Sequence, residues 1–305
     1  MGGVEIVAVS SDRELDALVG LFNELEGMSV TASRMRQMQV TMRRRDVLAW
    51  IGGSAVGFGL VGLFPGMEEV PEAAARFAVQ PAFRRRGIGS LLHAELCRHA
   101  TMLGKESLEV QVAGSDAASL VWLERRGYRE TERLYSLRLD LATTTLPELV
   151  VPQGIQLVSL AEEPERSLEI FDLVRETTAD VPGTVGEQVP EEFENWAALE
   201  LDPESRPPEL AILALDGSTL AGAGWVRRDG IEKVWHSYTG VRRAWRGRGI
   251  ARAIKLAQLQ AAQASGCRYS LTDNHVDNAP IARLNGELGY EPYDVKITLV
   301  GSRPA

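Results

Sequence analysis

Two short segments of the chain place arginines beside glycines at the same spacing. Residues 84–89 read RRRGIG and residues 246–251 read RGRGIA. Each segment follows a strand-like apolar run and precedes a long amphipathic helical pattern. The start of a helix leaves about four backbone N–H groups unpaired and carries partial positive charge, and glycine lets a ligand approach the backbone. The two segments therefore predict anion cradles, best suited to phosphate or pyrophosphate.

Other phosphate-binding loops fit these segments poorly. The lysine and hydroxyl of a P-loop are absent from both segments. A dinucleotide-binding glycine motif also fails, because Arg252 stands where its third glycine belongs. In addition, predicted hairpins precede each segment, whereas a dinucleotide-binding turn closes the first strand–helix unit of its domain.

The two segments belong to a longer internal repeat. Gly87 aligns with Gly249 and Tyr128 with Tyr290 at one constant difference in residue number, which is the repeat offset. The same order of patterns surrounds both turns: a strand, a helix, hairpin strands, the turn, a helix, a strand, a helix and a last strand. This order predicts an α+β fold of two tandem domains, each a mixed, mostly antiparallel sheet flanked by helices.

The repeat also predicts where the domains divide. Residues 143–153 read TTTLPELVVPQ and have prolines and little periodicity, as a linker does. We therefore expect an N-terminal domain at residues 1–142 and a C-terminal domain at residues 154–305.

Composition narrows the function. The 305 residues carry a formal net charge of −9, whereas a general nucleic-acid binder usually has a basic surplus, so no nucleic-acid partner is expected. Cys97 and Cys267 are too few for a disulfide framework or a thiolate zinc site, and we expect no metal. The N-terminus turns acidic before any long apolar run, and no such run approaches about 20 residues. We therefore expect a cytoplasmic protein without a signal peptide or membrane span.

The turns in their context resemble the acyl-CoA signature of the GCN5-related N-acetyltransferase (GNAT) superfamily. That signature is a strand, then [QR]-x-x-G-x-[GA], then a helix, and residues 84–89 and 246–251 both match it. A later family segment, an Asn-led helix ending in an LGY or LGF turn, resembles residues 277–290. The resemblance covers nearly the whole chain as a tandem pair. It implies an acyltransferase that moves an acetyl group from acetyl-CoA to a primary amine of a small molecule, by direct attack of the amine on the thioester.

The resemblance also implies which residues bind acetyl-CoA. The backbones of the turns would hold its pyrophosphate, and the ends of the preceding strands would pair with its pantetheine arm as with an added strand. In the C-terminal copy these residues are Thr239, Gly240, Val241, Gly247, Arg248, Gly249, Ile250, Ala251 and Arg252, together with Asn278 at the start of the later helix. In the N-terminal copy they are Phe77, Ala78, Val79, Arg85, Arg86, Gly87, Ile88, Gly89 and Ser90. The arginine side chains would add positive field.

The two copies differ in their polar residues. Many family members place a tyrosine four residues before the glycine of the LGY turn, where it protonates the departing thiolate. This chain has Asn285 and Leu123 there; Asn285 can donate a hydrogen bond, but neither residue is a general acid. The helix-leading residue is Asn278 in the second copy and Asp116 in the first, and an anionic side chain suits CoA poorly. We therefore expect the C-terminal copy to be catalytic and the N-terminal copy to bind CoA without turnover or to serve as scaffold.

Three candidate bases in the C-terminal copy lie on the strand that leads to the turn. They are Glu232, His236 and Tyr238. Strand alternation predicts that His236 and Tyr238 share a face with Gly240. For His236 an ordinary sheet histidine, and for Glu232 a solvated turn residue, stay open as alternatives.

Polar residues also cluster at the end of the next strand, where residues 272–278 read TDNHVDN. Asp273 and His275 are further candidates there, and a simple polar loop is the alternative. The acceptor amine would meet residues 177–196, an acidic segment with Phe193 and Trp196 that suits a cation. The same segment is equally compatible with a surface loop and a short core helix.

Two other functions stay open at this point. A CoA-binding sensor or scaffold without turnover fits the missing tyrosines, and protein N-acetylation is neither supported nor excluded. The chain would be a monomer, with its two copies packed as a pseudo-dimer, or a homodimer.

Overall fold

The computed structural model describes residues 3–64, 69–181 and 189–302. Within it the chain forms two compact units. The N-terminal unit comprises Met1–Arg133 together with Lys296–Ala305, and the C-terminal unit comprises Leu134–Val295.

The N-terminal unit is a sheet with helices packed on it. Its elements in chain order are β1 (Glu5–Ala8), α1 (Asp12–Glu26), α2 (Ala32–Thr41), β2 (Arg45–Ile51), β3 (Ser54–Gly62), β4 (Glu72–Val79), α3 (Ile88–Met102), β5 (Ser107–Ala113), α4 (Ala117–Glu124) and the start of β6 (Arg129–Asp140). Strands β1 to β4 pair antiparallel in chain order, and β4 pairs parallel with β5. Helix α2 was not predicted from the sequence.

The C-terminal unit repeats this plan. Its elements are the end of β6, then β7 (Ile155–Ser159), α5 (Ser167–Thr178), α6 (Phe193–Glu200), β8 (Ile212–Asp216), β9 (Thr219–Asp229), β10 (Lys233–Val241), α7 (Ile250–Ala264), β11 (Tyr269–His275), α8 (Ala279–Glu287) and the start of β12 (Glu291–Ser302). Strands β7 to β10 pair antiparallel, and β10 pairs parallel with β11. The bounds of α3 and α7, and those of β5 and β11, are separated by the repeat offset that the sequence predicts.

The last strand of each unit comes from the other half of the chain. In the N-terminal unit, β5 pairs antiparallel with Lys296–Ser302 of β12. In the C-terminal unit, β11 pairs antiparallel with β6, from His275 beside Leu134 to Tyr269 beside Asp140. The domain bounds at 142 and 154 stay a prediction, and the compact units differ from them by this exchange of strands.

Close packing holds the helix after each turn against its sheet. A Cβ on Gly57 of β3 would lie 2.9 Å from the Ala78 carbonyl oxygen and 3.3 Å from Leu92 of α3. Gly222 of β9 is crowded in the same way, with the Gly240 carbonyl oxygen at 2.9 Å and Ile254 of α7 at 3.2 Å. Glycine is needed at both positions because a Cβ would lie 2.9 Å from a carbonyl oxygen of the neighbouring strand and would also press on the helix. The first turns of α3 and α7 are thereby fixed beside the ends of β4 and β10.

Candidate functional site

Strands β10 and β11 form a fork in the C-terminal unit. They pair at only three positions, the last being Trp235 beside Leu271, although both strands continue. On its other side β10 stays paired with β9 as far as Val241. From residue 236 onward, within the part of the chain that the structure describes, the edge of β10 facing β11 therefore carries unpaired backbone groups.

The turn joins this free strand edge to a helix start. After β10 the chain makes a 3-10 turn at Arg243–Trp245 and enters α7 through Gly249. Gly247 and Gly249 have φ angles of 75° and 82°, in the left-handed region that glycine tolerates. No side chain caps α7, so the N–H groups of Ile250, Ala251 and Arg252 at its start are available to an anion.

Two carboxylates of α5 and its C-terminal end hold the arginines around this turn. Glu176 accepts from Arg242 Nη1 at 2.7 Å, and Asp180 accepts from Arg243 Nη2 at 2.7 Å and from Arg246 Nη2 at 2.8 Å. The hydrogen bonds from Arg243 and then Arg246 lower the pKa of Asp180 to about 2. Sequence patterns predicted neither carboxylate, because their spacing gives no sign that α5 ends beside the turn.

The arginine side chains of the turn are engaged in contacts within it. Arg246 is paired with Asp180, and its Nε donates to the Val241 carbonyl at 3.0 Å. Arg248 donates to the Ala244 carbonyl at 3.2 Å. Arg246 and Arg248 thus brace the turn through backbone carbonyls, and the start of α7 has no side-chain cap.

The N-terminal unit has the same turn, but aromatic side chains lie where its strands β4 and β5 separate. Gly87 caps α3 at φ 83°, and Arg85 holds φ 64° where the C-terminal unit has Gly247. Strands β4 and β5 also separate, after Ala75 beside Val110. Just beyond that point the rings of Phe77 and Trp122 pack 5.7 Å apart.

A cation lies over this aromatic cluster. The Arg126 guanidinium carbon lies 3.5 Å from the centre of the Trp122 ring, and Nη2 of the same arginine donates to Ser90 Oγ in the first turn of α3 at 2.9 Å. His93 packs on Trp122 at 5.5 Å and shares a 2.9 Å hydrogen bond with the Tyr128 hydroxyl. Aromatic side chains thus occupy the region of the N-terminal fork.

A β-bulge separates His236 from Tyr238. The pairing with β9 shifts between these two residues, so that Val226 faces His236 and Trp225 faces Tyr238, and Ser237 is the extra residue. The N-terminal unit has no such shift between β3 and β4. The prediction that His236 and Tyr238 share a face is therefore wrong, because the extra residue reverses the alternation.

His236 lies on the face of the sheet that α7 and α8 cover. Its ring packs on Tyr290 with centroids 6.2 Å apart, and neither ring nitrogen has a hydrogen-bond partner. Burial, and then the charge of Lys255, lowers the pKa of His236 well below its ordinary value. The imidazole is therefore neutral, with one donor and one acceptor nitrogen unused.

Tyr238 lies on the opposite face, against α5. Its ring stacks on Trp225 at 4.2 Å, and its hydroxyl hydrogen-bonds Thr177 Oγ1. Burial raises the pKa of Tyr238 to about 12. The ring folds over Gly240, where any Cβ would overlap the tyrosine hydroxyl. Tyr238 is thus a neutral hydrogen-bonding group that packs beside the strand segment predicted to meet the pantetheine arm.

The other candidate side chains divide between the fork and more distant places. Glu232 precedes β10 at the end opposite the turn, so the structure does not bring it to the fork. Asp273 of β11 is at the fork and accepts from Ser136 Oγ at 2.6 Å. His275 accepts from the Asp277 backbone N–H at 3.2 Å, and Asn278 is the residue at the start of α8.

Asn285 is fully buried in α8. Its Nδ2 donates to Asn274 Oδ1 of β11 at 3.0 Å, and its own Oδ1 has no partner. The structure therefore places this side chain beside β11, on the same face as His236.

The predicted acceptor segment is only partly described. Residues 182–188 lie outside the described residues. Trp196 of α6 is buried and packs on Phe171 at 5.3 Å and Trp225 at 6.0 Å, with Phe193 beside them. These two aromatic residues belong to the core of the C-terminal unit, so the alternative of a short core helix is the one observed.

The described residues contain no metal-binding cluster, no membrane-spanning helix and no disulfide. Among the described residues, no group of three or more His, Cys, Asp or Glu side chains is placed to hold a metal ion. In the same residues no helix is long and apolar enough to cross a membrane. Cys97 and Cys267 are both buried, and neither forms a disulfide in the part of the chain that the structure describes.

Comparison with known proteins identifies the chain as an acyltransferase. Residues 16–128 and 169–290 match the family model of the acetyltransferase (GNAT) family, and the chain belongs to this family as a tandem-domain member. It is 30% identical to a mycothiol acetyltransferase of Nocardia farcinica over 83% of this chain and 81% of the relative. A mycothiol acetyltransferase of Rhodococcus erythropolis is 25% identical, over 97% of both chains.

Solved structures share the tandem architecture. A tandem GNAT protein from the clavulanic acid biosynthesis pathway, without acetyl-CoA, matches with a TM-score of 0.79 and 20% identity, covering 99% of this chain and all of that one. A GCN5-related N-acetyltransferase from Sphaerobacter thermophilus matches with a TM-score of 0.71 and 21% identity, covering 99% and 96% of the two chains. The predicted fold of two tandem GNAT domains is confirmed.

Proposed function

We propose that the C-terminal unit transfers an acetyl group from acetyl-CoA to a primary amine of a small molecule. The observation that carries this proposal is the continuity of the free β10 edge with the uncapped start of α7. That combination offers pairing groups for an extended amide-bearing arm and unpaired N–H groups for a pyrophosphate, which are the two parts of CoA.

Each segment would bind one part of the substrate. The N–H groups of residues 249–252 would hold the pyrophosphate, and the edge formed by Thr239, Gly240 and Val241 would pair with the pantetheine amides. The thioester would then reach the bulge at Ser237, where an extra residue leaves ladder groups unpaired. A backbone N–H there would polarise the thioester carbonyl, and holding amine and thioester together supplies further acceleration.

The acceptor must lose a proton during transfer. We assign this step to Asp273, because it is a carboxylate at the fork on the face opposite Asn274 and Asn285. Its 2.6 Å hydrogen bond from Ser136 fixes its orientation. His236 is unsuited to this step because it lies on the other face, and neutral Tyr238, with its pKa near 12, is a poor base.

The bulge at Ser237 supports assigning catalysis to the C-terminal unit and not to the N-terminal unit. Bulges are common beside active sites, and only the C-terminal unit has one at its fork among the described strands. In the N-terminal unit, Phe77 and Trp122 fill the corresponding region. We therefore propose that the N-terminal unit binds CoA without turnover or serves as scaffold.

The test supplies acetyl-CoA and a panel of acceptors to the full chain and follows thiol release. Because the relatives are named mycothiol acetyltransferases, the panel starts with amines of the mycothiol series and continues with aminosugars, polyamines, amino acids and amine-bearing peptides. We expect acceptor-dependent thiol release with at least one small amine. Calorimetric binding of CoA with no release above background for any acceptor would favour the sensor, and release with peptides alone would favour protein acetylation.

A further inference from the structure

A buried polar cluster lines the α7 and α8 face of the C-terminal fork. It consists of His236 of β10, Lys255 of α7, Thr272 and Asn274 of β11, and Asn285 of α8. Both nitrogens of His236 and the Oδ1 atom of Asn285 are buried without a hydrogen-bond partner. Buried polar atoms in native proteins are nearly always hydrogen-bonded, so these three atoms call for a partner such as a ligand or a bound water.

The N-terminal unit shows that the fold does not need four of these five polar groups. The strand pairing places Ala75 where the C-terminal unit has His236, because Ala75 faces Val110 just as the fork opens. At the repeat offset, Thr272, Asn274 and Asn285 correspond to apolar residues, namely Val110, Val112 and Leu123. Four positions that are apolar in one copy are thus polar in the other, on the same scaffold.

Lys255 is the only cation of this cluster and has no counter-ion in the described part of the chain. Its side chain is 2% exposed, and its ammonium nitrogen lies 5.7 Å from the centre of the Tyr290 ring. Burial lowers the pKa of Lys255 to about 7. An ammonium with this pKa is a stronger acid than an ordinary thiol, whose pKa is about 8.5, and Lys255 carries the proton at pH values below about 7.

The cluster lies where the proposed thioester ends. His236 is adjacent to the Ser237 bulge, at the point where β10 leaves β11. Asn285 occupies the position at which the family resemblance places a tyrosine, and an amide cannot supply a proton to a leaving thiolate. Another proton source is therefore needed on this face, and Lys255 is the acid that the structure places there.

We propose that Lys255 supplies the proton to the departing sulfur and that His236 relays it across the fork. This inference rests on the proposed acetyl transfer in the C-terminal unit. The amine nitrogen forms a bond to the thioester carbon, the carbon–sulfur bond breaks, and its electron pair goes to sulfur. Neither nitrogen of neutral His236 has a partner in this structure, so Lys255 must first close onto one of them. That nitrogen then takes a proton from the Lys255 ammonium while the other gives its proton to sulfur. The proton released by the amine leaves through Asp273, and Lys255 regains one from solvent.

Few other titratable groups face Lys255. His236 approaches from β10, and burial keeps its pKa well below the ordinary value. Tyr290, which follows α8, donates or accepts in a 2.6 Å hydrogen bond with Ser270 Oγ, and burial raises its pKa. The residues that β11 and α8 present are uncharged, namely Ser270, Thr272, Asn274 and Asn285. Titration in the neutral range on this face therefore belongs to Lys255.

The kinetic test compares Lys255→Met, Lys255→Arg and His236→Ala, the last being the residue of the other copy. General acids typically contribute about 10²–10⁴-fold, so we expect Lys255→Met to lower kcat about 10²-fold with little change in the KM for acetyl-CoA. Arginine keeps the charge but does not release a proton, so Lys255→Arg should also fail. In the wild type kcat should fall as pH rises above about 7, because the ammonium form is lost, and Lys255→Met should lack this decline.

Stability and a matched variant separate catalysis from folding. Lys255→Met removes a buried amine, so its Tm should equal or exceed that of the wild type. His93→Leu alters the residue that aligns with Lys255 in the N-terminal unit and should leave kcat unchanged. Full turnover of Lys255→Arg with an unchanged pH profile would overturn the proton-donor role, and full turnover of His236→Ala would overturn the relay.

A second readout does not depend on turnover. The chain has four lysines, so labelled lysine side chains give four NMR signals, and Lys255→Met identifies the one of interest. We expect the Lys255 signal to titrate near neutrality and to shift when CoA is added, with the other three signals as references. A Lys255 signal that ignores bound CoA would overturn the proposal. If CoA moves this signal and no amine is acetylated, the proposed function fails although the cluster contacts the thiol end.

Discussion

Gly249 and Gly87 hold the same left-handed conformation at the starts of α7 and α3, with φ angles of 82° and 83°. A side chain at either position is strained and would stand before the unpaired N–H groups. We expect Gly249→Val to abolish thiol release, whereas Gly87→Val mainly lowers the amount of CoA bound per chain. Thiol release and calorimetric stoichiometry check the two outcomes. Equal loss of turnover in both variants would contradict the assignment of catalysis to the C-terminal unit.

Gly240 is required by the Tyr238 side chain rather than by a turn. A Cβ there would overlap the Tyr238 hydroxyl and lie 3.0 Å from Thr177 Oγ1. Gly240→Ala should therefore displace Tyr238 from Thr177 and from its stacking partner Trp225. Losing one hydrogen bond and one aromatic pair predicts a destabilisation of about 2 kcal/mol in urea unfolding.

A second glycine provides the control for that measurement. A Cβ on Gly20 of α1 would meet nothing within 4 Å. Gly20→Ala should stabilise the protein by up to about 1 kcal/mol, because alanine favours a helix interior over glycine. Equal urea midpoints for the Gly240 and Gly20 variants would show that Tyr238 does not need the space above Gly240.

At the scale of elements, ion pairs connect the C-terminal end of α5 to the turn before α7. Asp180, which follows α5, accepts from Arg243 and Arg246, and its pKa is lowered from 3.8 to about 2. Because the folded pKa is depressed, the contribution of these pairs is fully present above about pH 4 and is lost as pH falls through 2. NMR titration of the Asp180 carboxyl should give a midpoint near 2 in the wild type. In the double variant Arg243→Gln with Arg246→Gln it should return toward 3.8, and an unchanged midpoint would contradict the pairing.

Sequence patterns predicted the elements of the turn better than the side chains around it. The internal repeat predicted the starts of α3 and α7 and the Gly–Tyr turns after α4 and α8, because glycine and helix periodicity are local signals. It did not predict the bulge at Ser237, because the alternation of inward and outward side chains looks regular in the sequence on either side of one extra residue. It also missed Lys255 and Asp180, since what surrounds a side chain depends on other segments of the fold.

At the scale of the whole molecule, strand exchange was the feature that sequence patterns did not predict. Periodicity identifies β6 and β12 as strands and is silent about their partners, which are set by packing over long chain distances. The structure assigns Lys296–Ser302 to the N-terminal unit and the end of β6 to the C-terminal unit. Each unit therefore needs a segment from the other half of the chain to complete its sheet.

Because of the strand exchange, we expect that shortening the chain at its C-terminus destabilises the N-terminal unit. Ending the chain after Val295 removes the seven residues of β12 that pair with β5. Among them Ile297 and Leu299 are buried, and burying such a side chain contributes roughly 1.5–3 kcal/mol, which the truncated chain loses for each. The loss is comparable with much of a typical folding stability of about 5–15 kcal/mol and leaves Leu108 and Val110 on an unpaired edge.

We therefore expect the truncated chain to lose hydrogen-exchange protection in β5, residues 107–113, and to aggregate, although the missing residues belong to the other half of the sequence. A chain ending after Ser302 keeps the paired segment and is the control. A peptide of residues 291–302 added to the truncated chain should restore protection by pairing with β5 as the missing strand. If β5 stays as protected without β12 as with it, the N-terminal unit completes its own sheet and the exchanged strand is not required for its stability.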